Sequence, residues 1–344
     1  MTASHFRYLQ RGTALTHLPP LLAELGTPLD AVLDGAGIAA ADLVPDRFLP
    51  YAAVLTVLDR AAALSGREDL GILLGRRQSL TSLGPAGEVM RHASTLGEAL
   101  NDYALLQIWN CTGAAVYTYR TREEFACGYG IYDPAGVGAI QIHDTVLAIG
   151  CLLLSILTEQ RVEPVELWSM RPAPADPAPL RTLARCPVRY GQDQTCIFLP
   201  PSAAAVPLPD RDRGRHDAAL AQIARRAASA PWGKVAMVRH ALRSAFISGR
   251  TGMDDVAAHL HLHPRSLRRA LTREGTSFTA LRDEVRFTIA RELLSLTPLL
   301  MRDIALALDF ADTSAFTHAF RRWSGMSPTD WRCGHGKAAP GAAD

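Results

Sequence analysis

The cysteines of this chain form no pair or cluster with a recognisable spacing. There are six among 344 residues, and none belongs to a CxxC motif or to the spacing of a zinc site. A disulfide framework and a zinc knuckle are therefore excluded, and we expect reduced thiols that pack as small side chains. Their positions are Cys111, Cys127, Cys151, Cys186, Cys196 and Cys333.

The sequence also lacks the marks of export and of membrane insertion. The N-terminus has no basic region followed by an apolar run. The longest apolar stretch, residues 146–157, is well short of the roughly 20 residues that cross a bilayer. We therefore expect a soluble, cytoplasmic protein without a membrane partner.

Motifs of enzyme active sites are missing as well. There is no glycine-rich phosphate loop, no HExxH and no GxSxG, and the GYG at residues 128–130 lacks a third glycine. His259, His261 and His263 alternate in a short segment, but no set of cysteines or carboxylates accompanies them. We therefore predict no metal site there. The sequence predicts a protein that is not an enzyme and has no catalytic residue and no cofactor.

The chain has enough apolar residues for two domains, and its charge is unevenly distributed. Domains usually contain about 100 to 200 residues, so 344 residues with 48% hydrophobic side chains predict two. The net charge is +2, but residues 232–344 carry 16 Lys and Arg against 11 Asp and Glu, whereas residues 1–231 carry 20 against 23. The positive excess predicts an anionic partner for the C-terminal part.

Residues 1–205 mix helical and strand patterns and are predicted to form an α+β domain. Helical periodicity extends over 14–78, 87–110 and 140–159, and STLGE at 94–98 predicts a helix start with a hydroxyl cap. Four short segments rich in Val, Tyr and Phe predict strands, and the first two flank the charged turn TREE as in a hairpin. These segments are 114–120, 125–132, 165–170 and 195–200.

A proline-rich segment separates this domain from the rest of the chain. Residues 200–214 contain four prolines and alternating charges. Because proline removes a backbone donor and restricts the preceding residue, the segment predicts the end of the first domain. The predicted boundaries are 1–205 for the first domain, 206–231 for a linker with a connecting helix, 232–335 for an all-α second domain and 336–344 for a disordered tail.

Residues 254–275 and 302–325 repeat one pattern. Each copy contains a short helix with an apolar i, i+4 face, a turn of three or four residues, and a second short helix with its own apolar pair. This order describes a helix-turn-helix. The aligned apolar residues are Val256 with Ile304, Ala257 with Ala305, Leu260 with Leu308, Leu262 with Phe310, Leu267 with Phe316 and Leu271 with Phe320.

If these apolar residues face the core, polar and basic side chains remain on the outer face of the second helix of each copy. Arginine can pair with guanine through two hydrogen bonds, and hydroxyl groups reach base edges or phosphates. The predicted DNA-binding residues are Arg265, Ser266, Arg268, Arg269, Thr272, Thr313, Ser314, Thr317, His318, Arg321 and Arg322. A linker helix over 277–298, about 30 Å long, would place the two recognition helices in successive major grooves.

These features resemble the AraC/XylS family of transcription regulators. The resemblance lies in the two helix-turn-helix units, in RxLxRxLxxxGxSF over 265–278, and in IAxxLxFxDxSxFxxAFxRxxGxSPxxxR over 304–332. Residues 15–205 resemble the arabinose-binding-type regulatory domain of one branch of the family, through LGEAL and the helix-hairpin-helix order. The resemblance implies a bacterial regulator, often an activator, that binds promoter DNA, works with RNA polymerase, and binds a small organic effector and dimerises through its N-terminal domain.

Aromatic side chains of the first domain are the candidates for an effector pocket. Aromatic residues on strands are more often simply part of the core, so each is also explained by packing alone. The candidate effector-binding residues are Tyr103, Trp109, Tyr117, Tyr129 and Trp168. One enzymatic alternative stays open, a DNA-bound alkyl acceptor or other DNA-modifying enzyme with the same type of DNA-binding domain, although the spread of the cysteines argues against it.

The sequence departs from the family pattern at two turns. Asp309 stands where members usually have glycine, and because aspartate tolerates the left-handed conformation we expect the turn to persist under strain. We therefore expect Asp309→Gly to leave the fold intact and to relieve any strain. His263 and Pro264 replace the serine that usually begins the first recognition helix, so we expect a weaker N-cap there.

Overall fold

The computed structural model describes residues 8–120, 124–132, 139–226, 232–248, 250–260, 262–297 and 299–335. The described chain forms two compact units, which separate between Pro231 and Trp232. The predicted disordered tail 336–344, the turn residues 121–123 and His261 lie outside the described residues.

The first unit is a mixed α+β domain, as the sequence predicts. Its described residues include nine α-helices, several short 3-10 helices, a five-stranded sheet and a separate two-stranded sheet. The helices are α1 (Leu18–Glu24), α2 (Leu29–Leu33), α3 (Tyr51–Ser65), α4 (Leu70–Gly75), α5 (Pro85–His92), α6 (Leu96–Leu106), α7 (Gln141–Thr158), α8 (Ala178–Ala184) and α9 (Arg213–Arg226). The strands are β1 (Leu9–Arg11), β2 (Phe48–Pro50), β3 (Ala114–Arg120), β4 (Phe125–Ile131), β5 (Glu166–Trp168), β6 (Val188–Arg189) and β7 (Thr195–Leu199).

The larger sheet has the strand order β3-β4-β7-β5-β6. Its pairs are antiparallel except for β5 with β6. The predicted hairpin is confirmed as β3 and β4, and the strands predicted at 165–170 and 195–200 are confirmed as β5 and β7. Strands β1, β2 and β6 were not predicted, because they have only two or three residues each and so show no usable alternation.

The register of the sheet assigns its side chains to two faces. Residues directly opposite each other on antiparallel strands share a face, and neighbours along a strand point to opposite faces. One face therefore carries the row Val116, Tyr129 and Thr195. The other face carries the row Tyr117, Gly128, Cys196 and Trp168.

Helix α7 is the central helix of this unit. It is long and apolar enough by composition to cross a membrane, but 67% of it is buried within the unit, as in the core helix of a globular domain. Helix α4 packs against α7 with very little space between the backbones. A Cβ atom on Gly71 would lie 2.4 Å from the carbonyl oxygen of Gln141, and one on Gly75 would lie 2.6 Å from Cβ of Ala148. Glycine at these positions permits this contact.

Helix α6 starts at the cap that the sequence predicts. The Thr95 side chain accepts a hydrogen bond from Glu98 N (3.2 Å), and Glu98 in turn accepts one from Ser94 N (2.6 Å). The first bond satisfies a donor that the first helical turn leaves open, and the second ties down the residue before the cap. Helix α9 falls within the segment that the sequence assigned to the linker, but it belongs to the first unit, and its His216 lies 2.8 Å from Asp102 of α6.

The second unit is helical throughout its described elements. These helices are α10 (Lys234–Ser248), α11 (Met253–His259), α12 (Pro264–Arg273), α13 (Phe278–Leu296), α14 (Met301–Ala307), α15 (Thr313–Ser324) and α16 (Pro328–His335). Helix α13 is the predicted linker helix, and its apolar stripe is buried, including Leu281, Val285 and Ile289. Two ion pairs join α10 to α13, Arg239 with Glu284 and Arg243 with Glu292, each at 2.6 Å.

Candidate nucleic-acid interface and internal cavity

The first helix-turn-helix consists of α11 and α12. Leu267 and Leu271 lie one helical turn apart on α12 and are 0% and 1% exposed, so they fix the inner face of this helix. All five predicted DNA-binding residues of this unit are exposed on the remaining surface of α12. They are Arg265, Ser266, Arg268, Arg269 and Thr272.

The start of α12 corrects the expectation of a weakened cap. His263 is the N-cap residue, and its Nδ1 accepts a hydrogen bond from Arg265 N at 3.2 Å. Pro264 occupies the first helical position, where its missing N–H would have no intrahelical partner. The imidazole therefore performs the function of the usual serine hydroxyl.

The second helix-turn-helix consists of α14 and α15, and aromatic residues hold α15 in place. Phe316 and Phe320 are completely buried, with ring centroids 5.8 Å apart. Phe310 in the turn lies 5.7 Å from Phe316 and 6.2 Å from Trp323. The predicted DNA-facing residues Ser314, His318, Arg321 and Arg322 are exposed, whereas Thr313 and Thr317 are half-buried.

Asp309 occupies the turn of this second unit in the left-handed conformation. Its φ is 59°, as expected from the sequence. Its side chain also makes contacts that the sequence did not predict. Oδ2 accepts a hydrogen bond from Thr251 Oγ1 at 2.5 Å and lies 3.3 Å from Nη2 of the buried Arg286. Arg286 also donates to the carbonyl oxygens of Leu308 (2.9 Å) and Asp309 (2.7 Å). A buried arginine therefore organises this turn.

The cationic side chains of the two recognition helices differ in their partners. In the described part of the chain, no carboxylate lies within ion-pair distance of Arg265, Arg268, Arg269 or Arg321. Arg322, by contrast, pairs with Asp283 of α13 at 2.8 Å. Unpaired guanidinium groups on an exposed helix are suited to phosphate oxygens and to the N7 and O6 atoms of guanine.

A cavity of about 150 Å³ lies in the first unit. Its lining comes from α5, α6, α7, the sheet face that carries Val116 and Tyr129, and the segments next to β1 and α4. Apolar atoms dominate the wall, including those of Leu100, Leu153 and Ile197. Concave, mainly apolar spaces with a few polar groups are typical of small-molecule sites.

Two of the five candidate effector residues line this cavity, Tyr103 of α6 and Tyr129 of β4. Trp109 is half-buried in the turn after α6 and lies outside the described lining. Tyr117 and Trp168 belong to the opposite face of the sheet. Tyr117 Oη donates to Gln194 (2.8 Å), and the Trp168 ring lies 5.1 Å from that of Phe198. The structure therefore brings together Tyr103 and Tyr129 and separates the other three from them.

Gln107 is a cavity residue that was not predicted from the sequence. It lies directly after α6, is only 5% exposed, and its Oε1 has no hydrogen-bond partner among the described residues. The signal for it in the sequence is an amide within the apolar segment ALLQIWN. Asn110, at the end of the same segment, also lines the cavity, and its Nδ2 donates to Leu83 O at 3.3 Å.

Buried ionisable groups lie beside the cavity. The cavity residue Thr195 is hydrogen-bonded through Oγ1 to His143 Nδ1 at 2.7 Å. Burial, reinforced by the positive charge of Arg171, lowers the pKa of His143 to about 4, so the imidazole is neutral. Asp144 forms a buried ion pair with Arg171, and Glu68 lies 3.1 Å from the same guanidinium.

Three thiols of this unit, the buried Cys111 and Cys151 and the half-buried Cys127, are not activated. Burial raises the pKa of Cys127, which lines the cavity, to about 12, and it raises the pKa of Cys111 and of Cys151 to the same value. Because the thiolate is the reactive form, these side chains are poor nucleophiles at neutral pH. Their chemistry is that of small core residues.

The two units define a class of protein, a DNA-binding regulator in which an α+β domain is followed along the chain by paired helix-turn-helix motifs. The profile of a family described as the arabinose-binding domain of AraC transcription regulator, N-term, matches residues 26–208, and a helix-turn-helix domain profile matches residues 256–333. The chain belongs to the AraC family of transcription regulators.

Relatives match along nearly the whole chain. A protein of Mycobacterium tuberculosis described as an uncharacterised HTH-type transcriptional regulator is 29% identical over 319 residues, which cover 90% of this chain and 92% of the relative. The ornithine utilization regulator of Pseudomonas aeruginosa is 26% identical over 91% of this chain and 93% of its own length. The crystal structure of the regulator CdpR from Pseudomonas aeruginosa covers 93% of this chain and 98% of its own, at 23% identity and a TM-score of 0.46.

Proposed function

We propose that this protein is a one-component activator of transcription, whose N-terminal unit binds a small organic effector and whose recognition helices α12 and α15 read promoter DNA. The observation that supports DNA recognition is the exposure of Arg265, Arg268, Arg269 and Arg321 without a carboxylate partner among the described residues. An effector would act by favouring one of two states of the regulator, to the extent that it binds that state more tightly.

Further partners are part of the same proposal. The protein would work with RNA polymerase at the promoter, and its N-terminal unit would pair two protomers into a homodimer. Because its target is chromosomal DNA, we place the protein in the cytoplasm. The raised pKa of Cys111, Cys127 and Cys151 argues against these three thiols as the acceptor in the alternative of an alkyl acceptor.

Selection from a random duplex library tests DNA recognition and needs no operator sequence at the outset. The full-length protein should enrich two short conserved boxes whose centres lie about one helical turn, or 10 base pairs, apart. Footprinting on the selected duplex should show protection of both boxes. A library that shows no enrichment at moderate salt would contradict the proposal.

Arginine substitutions test the face that contacts DNA. Arg269→Ala should weaken binding to the selected duplex by about 1–3 kcal/mol and relax the preference at one base pair if the side chain pairs with guanine. If it contacts phosphate instead, binding should weaken equally on all sequences, and the salt dependence should fall by about one unit of slope. Arg215→Ala is the matched control, because Arg215 is 72% exposed on α9 of the other unit. Equal affinities for both variants and the wild type would refute the assigned face.

A further inference from the structure

The described wall of the cavity in the first unit carries no charge. Every described residue that lines it is apolar or neutral and polar, and the set includes no Asp, Glu, Lys, Arg or His. The buried charges of Asp144 and Arg171 in the same unit pair with each other. An ionised ligand in this cavity would lose its hydration without gaining a counter-charge, which costs several kcal/mol. The wall therefore selects against carboxylates and ammonium groups.

Three hydroxyl groups on the wall are already hydrogen-bonded within the protein. Tyr129 Oη lies 2.7 Å from the hydroxyl of Tyr51, and Thr145 Oγ1 donates to Gln141 O at 2.8 Å. Thr195 Oγ1 bonds with His143. A sugar presents several hydroxyl groups, each of which needs a partner when buried. With these three hydroxyl groups engaged and mainly apolar atoms on its surface, the described wall is poorly matched to a pentose.

Gln107 and Tyr103, four residues apart in the chain, are among the groups on the wall that keep unused hydrogen-bonding capacity. Gln107 Oε1 is buried and lacks a partner among the described residues, which is costly unless a ligand supplies one. Tyr103 Oη makes no hydrogen bond within the described part of the chain. Burial raises the pKa of Tyr103, first through desolvation and then through the neighbouring Cys111 and Cys127, so its phenol stays protonated and is able to donate. A ligand group that both donates and accepts would satisfy the two residues together.

We propose that this cavity binds an uncharged, mainly hydrocarbon molecule with a single hydroxyl or amide group, which pairs with Gln107 and Tyr103. The cavity volume of about 150 Å³ equals that of an engineered apolar cavity, about 150 Å³, that accommodates benzene. A substituted ring or a short aliphatic chain is therefore the appropriate size. This inference rests on the proposed function, because it takes the cavity as the effector site.

A matched series of small probes tests the class of ligand on the full-length protein. Benzyl alcohol, benzoate and benzylamine differ mainly in charge, and arabinose and ornithine represent the polar and charged alternatives. Saturation-transfer NMR and the shift of the thermal unfolding midpoint should show binding of benzyl alcohol and at least tenfold weaker binding of the other four. Absence of benzyl alcohol binding up to its solubility limit, or equal binding of any of the other four, would overturn the inference.

Substitutions locate the probe. Gln107→Leu should weaken benzyl alcohol about tenfold but leave toluene, which lacks the hydroxyl, unaffected. Val116→Phe should fill the cavity and abolish binding of both. Tyr117→Phe is the matched control, since Tyr117 follows Val116 on β3 but points to the opposite face of the sheet, and it should bind both probes as the wild type does. If Gln107→Leu binds benzyl alcohol with wild-type affinity, the assigned hydrogen-bond partner is wrong.

The DNA experiment and the probe experiment test separate claims, so a negative result in one leaves the other claim standing. A protein that enriches specific DNA sites but binds none of the neutral probes would refute the ligand class alone. A protein that binds benzyl alcohol in the cavity but selects no DNA sequence would refute the proposed function and leave the ligand class intact. Selected DNA whose affinity changes on addition of benzyl alcohol would support both.

Discussion

Replacing Asp309 by glycine is expected to destabilise the second helix-turn-helix, contrary to what the sequence suggests. From the sequence alone, the substitution should relieve strain, because glycine adopts φ values near 59° without cost. The structure adds a second consequence. The substitution also removes a carboxylate that accepts a hydrogen bond from the buried Thr251 and that offsets part of the charge of the buried Arg286.

Asp309→Gly changes the free energy of unfolding through three contributions. Relief of the left-handed backbone contributes up to about 1 kcal/mol for an aspartate, and the extra freedom of glycine in the unfolded chain costs about 0.4–1 kcal/mol. These two nearly cancel. Loss of a hydrogen bond to a charged acceptor costs about 1.5–3 kcal/mol, which we reduce because Asp309 is 53% exposed. We therefore expect a net loss of about 1–2 kcal/mol.

Hydrogen exchange followed by mass spectrometry on the full-length protein measures this loss where it occurs. Peptides from residues 302–325 should exchange about 5- to 30-fold faster in Asp309→Gly, the factor that corresponds to about 1–2 kcal/mol. Asp309→Asn tolerates the same φ and keeps an acceptor for Thr251, so its exchange should lie between those of the wild type and Asp309→Gly. A double-mutant cycle with Thr251→Val isolates the shared bond. Exchange in Asp309→Gly as slow as in the wild type would refute the importance of these contacts.

Two further predictions concern buried groups of the first unit. The folded-state pKa of His143 is about 4 against an ordinary 6.5, so the unfolded chain binds more protons between these values and stability falls as the pH decreases through them. In urea unfolding, the wild type should lose about 3 kcal/mol relative to His143→Asn between neutral pH and pH 4; a difference independent of pH would argue against a buried neutral imidazole. Because burial raises the pKa of Cys127 and Cys111 to about 12, iodoacetamide should modify the exposed Cys333 and spare both of these thiols in the native protein. Mass-spectrometric detection of early modification at Cys127 would contradict this prediction. Methylation of any cysteine by alkylated DNA would support the alkyl-acceptor alternative instead.

The second unit was the more predictable part of the fold. Leu267 and Leu271, or Phe316 and Phe320, recur at the spacing of one helical turn, and this periodicity alone identifies the inner face of each recognition helix. The cap at His263 was not predictable, because a histidine accepts from a helix N-terminus only when its ring adopts a particular rotamer. The contacts of Asp309 with Thr251 and Arg286 join residues far apart in the chain and leave no local pattern.

The cavity was only partly predictable, for a physical reason that Tyr117 and Tyr129 illustrate. Both are aromatic residues on the same hairpin, and which of them faces the cavity depends on the register of the sheet, in which a shift of one residue exchanges the two faces. Residue type alone identifies aromatic candidates but does not say on which face of the sheet they lie. Gln107 was overlooked because a single amide after a helix has no distinctive spacing, and only the enclosure around it makes its unpaired oxygen significant.

The unlike interiors of the two helix-turn-helix units have a consequence for orientation. One recognition helix rests on leucines and exposes mainly arginines, whereas the other rests on phenylalanines and exposes a mixture of hydroxyl, imidazole and guanidinium groups. Because the two recognition helices of one chain expose different side chains, they suit a DNA target whose two contacted sequences also differ. Such a target is not a palindrome, so one protomer would distinguish left from right along the duplex and give the bound complex a polarity relative to the start of transcription.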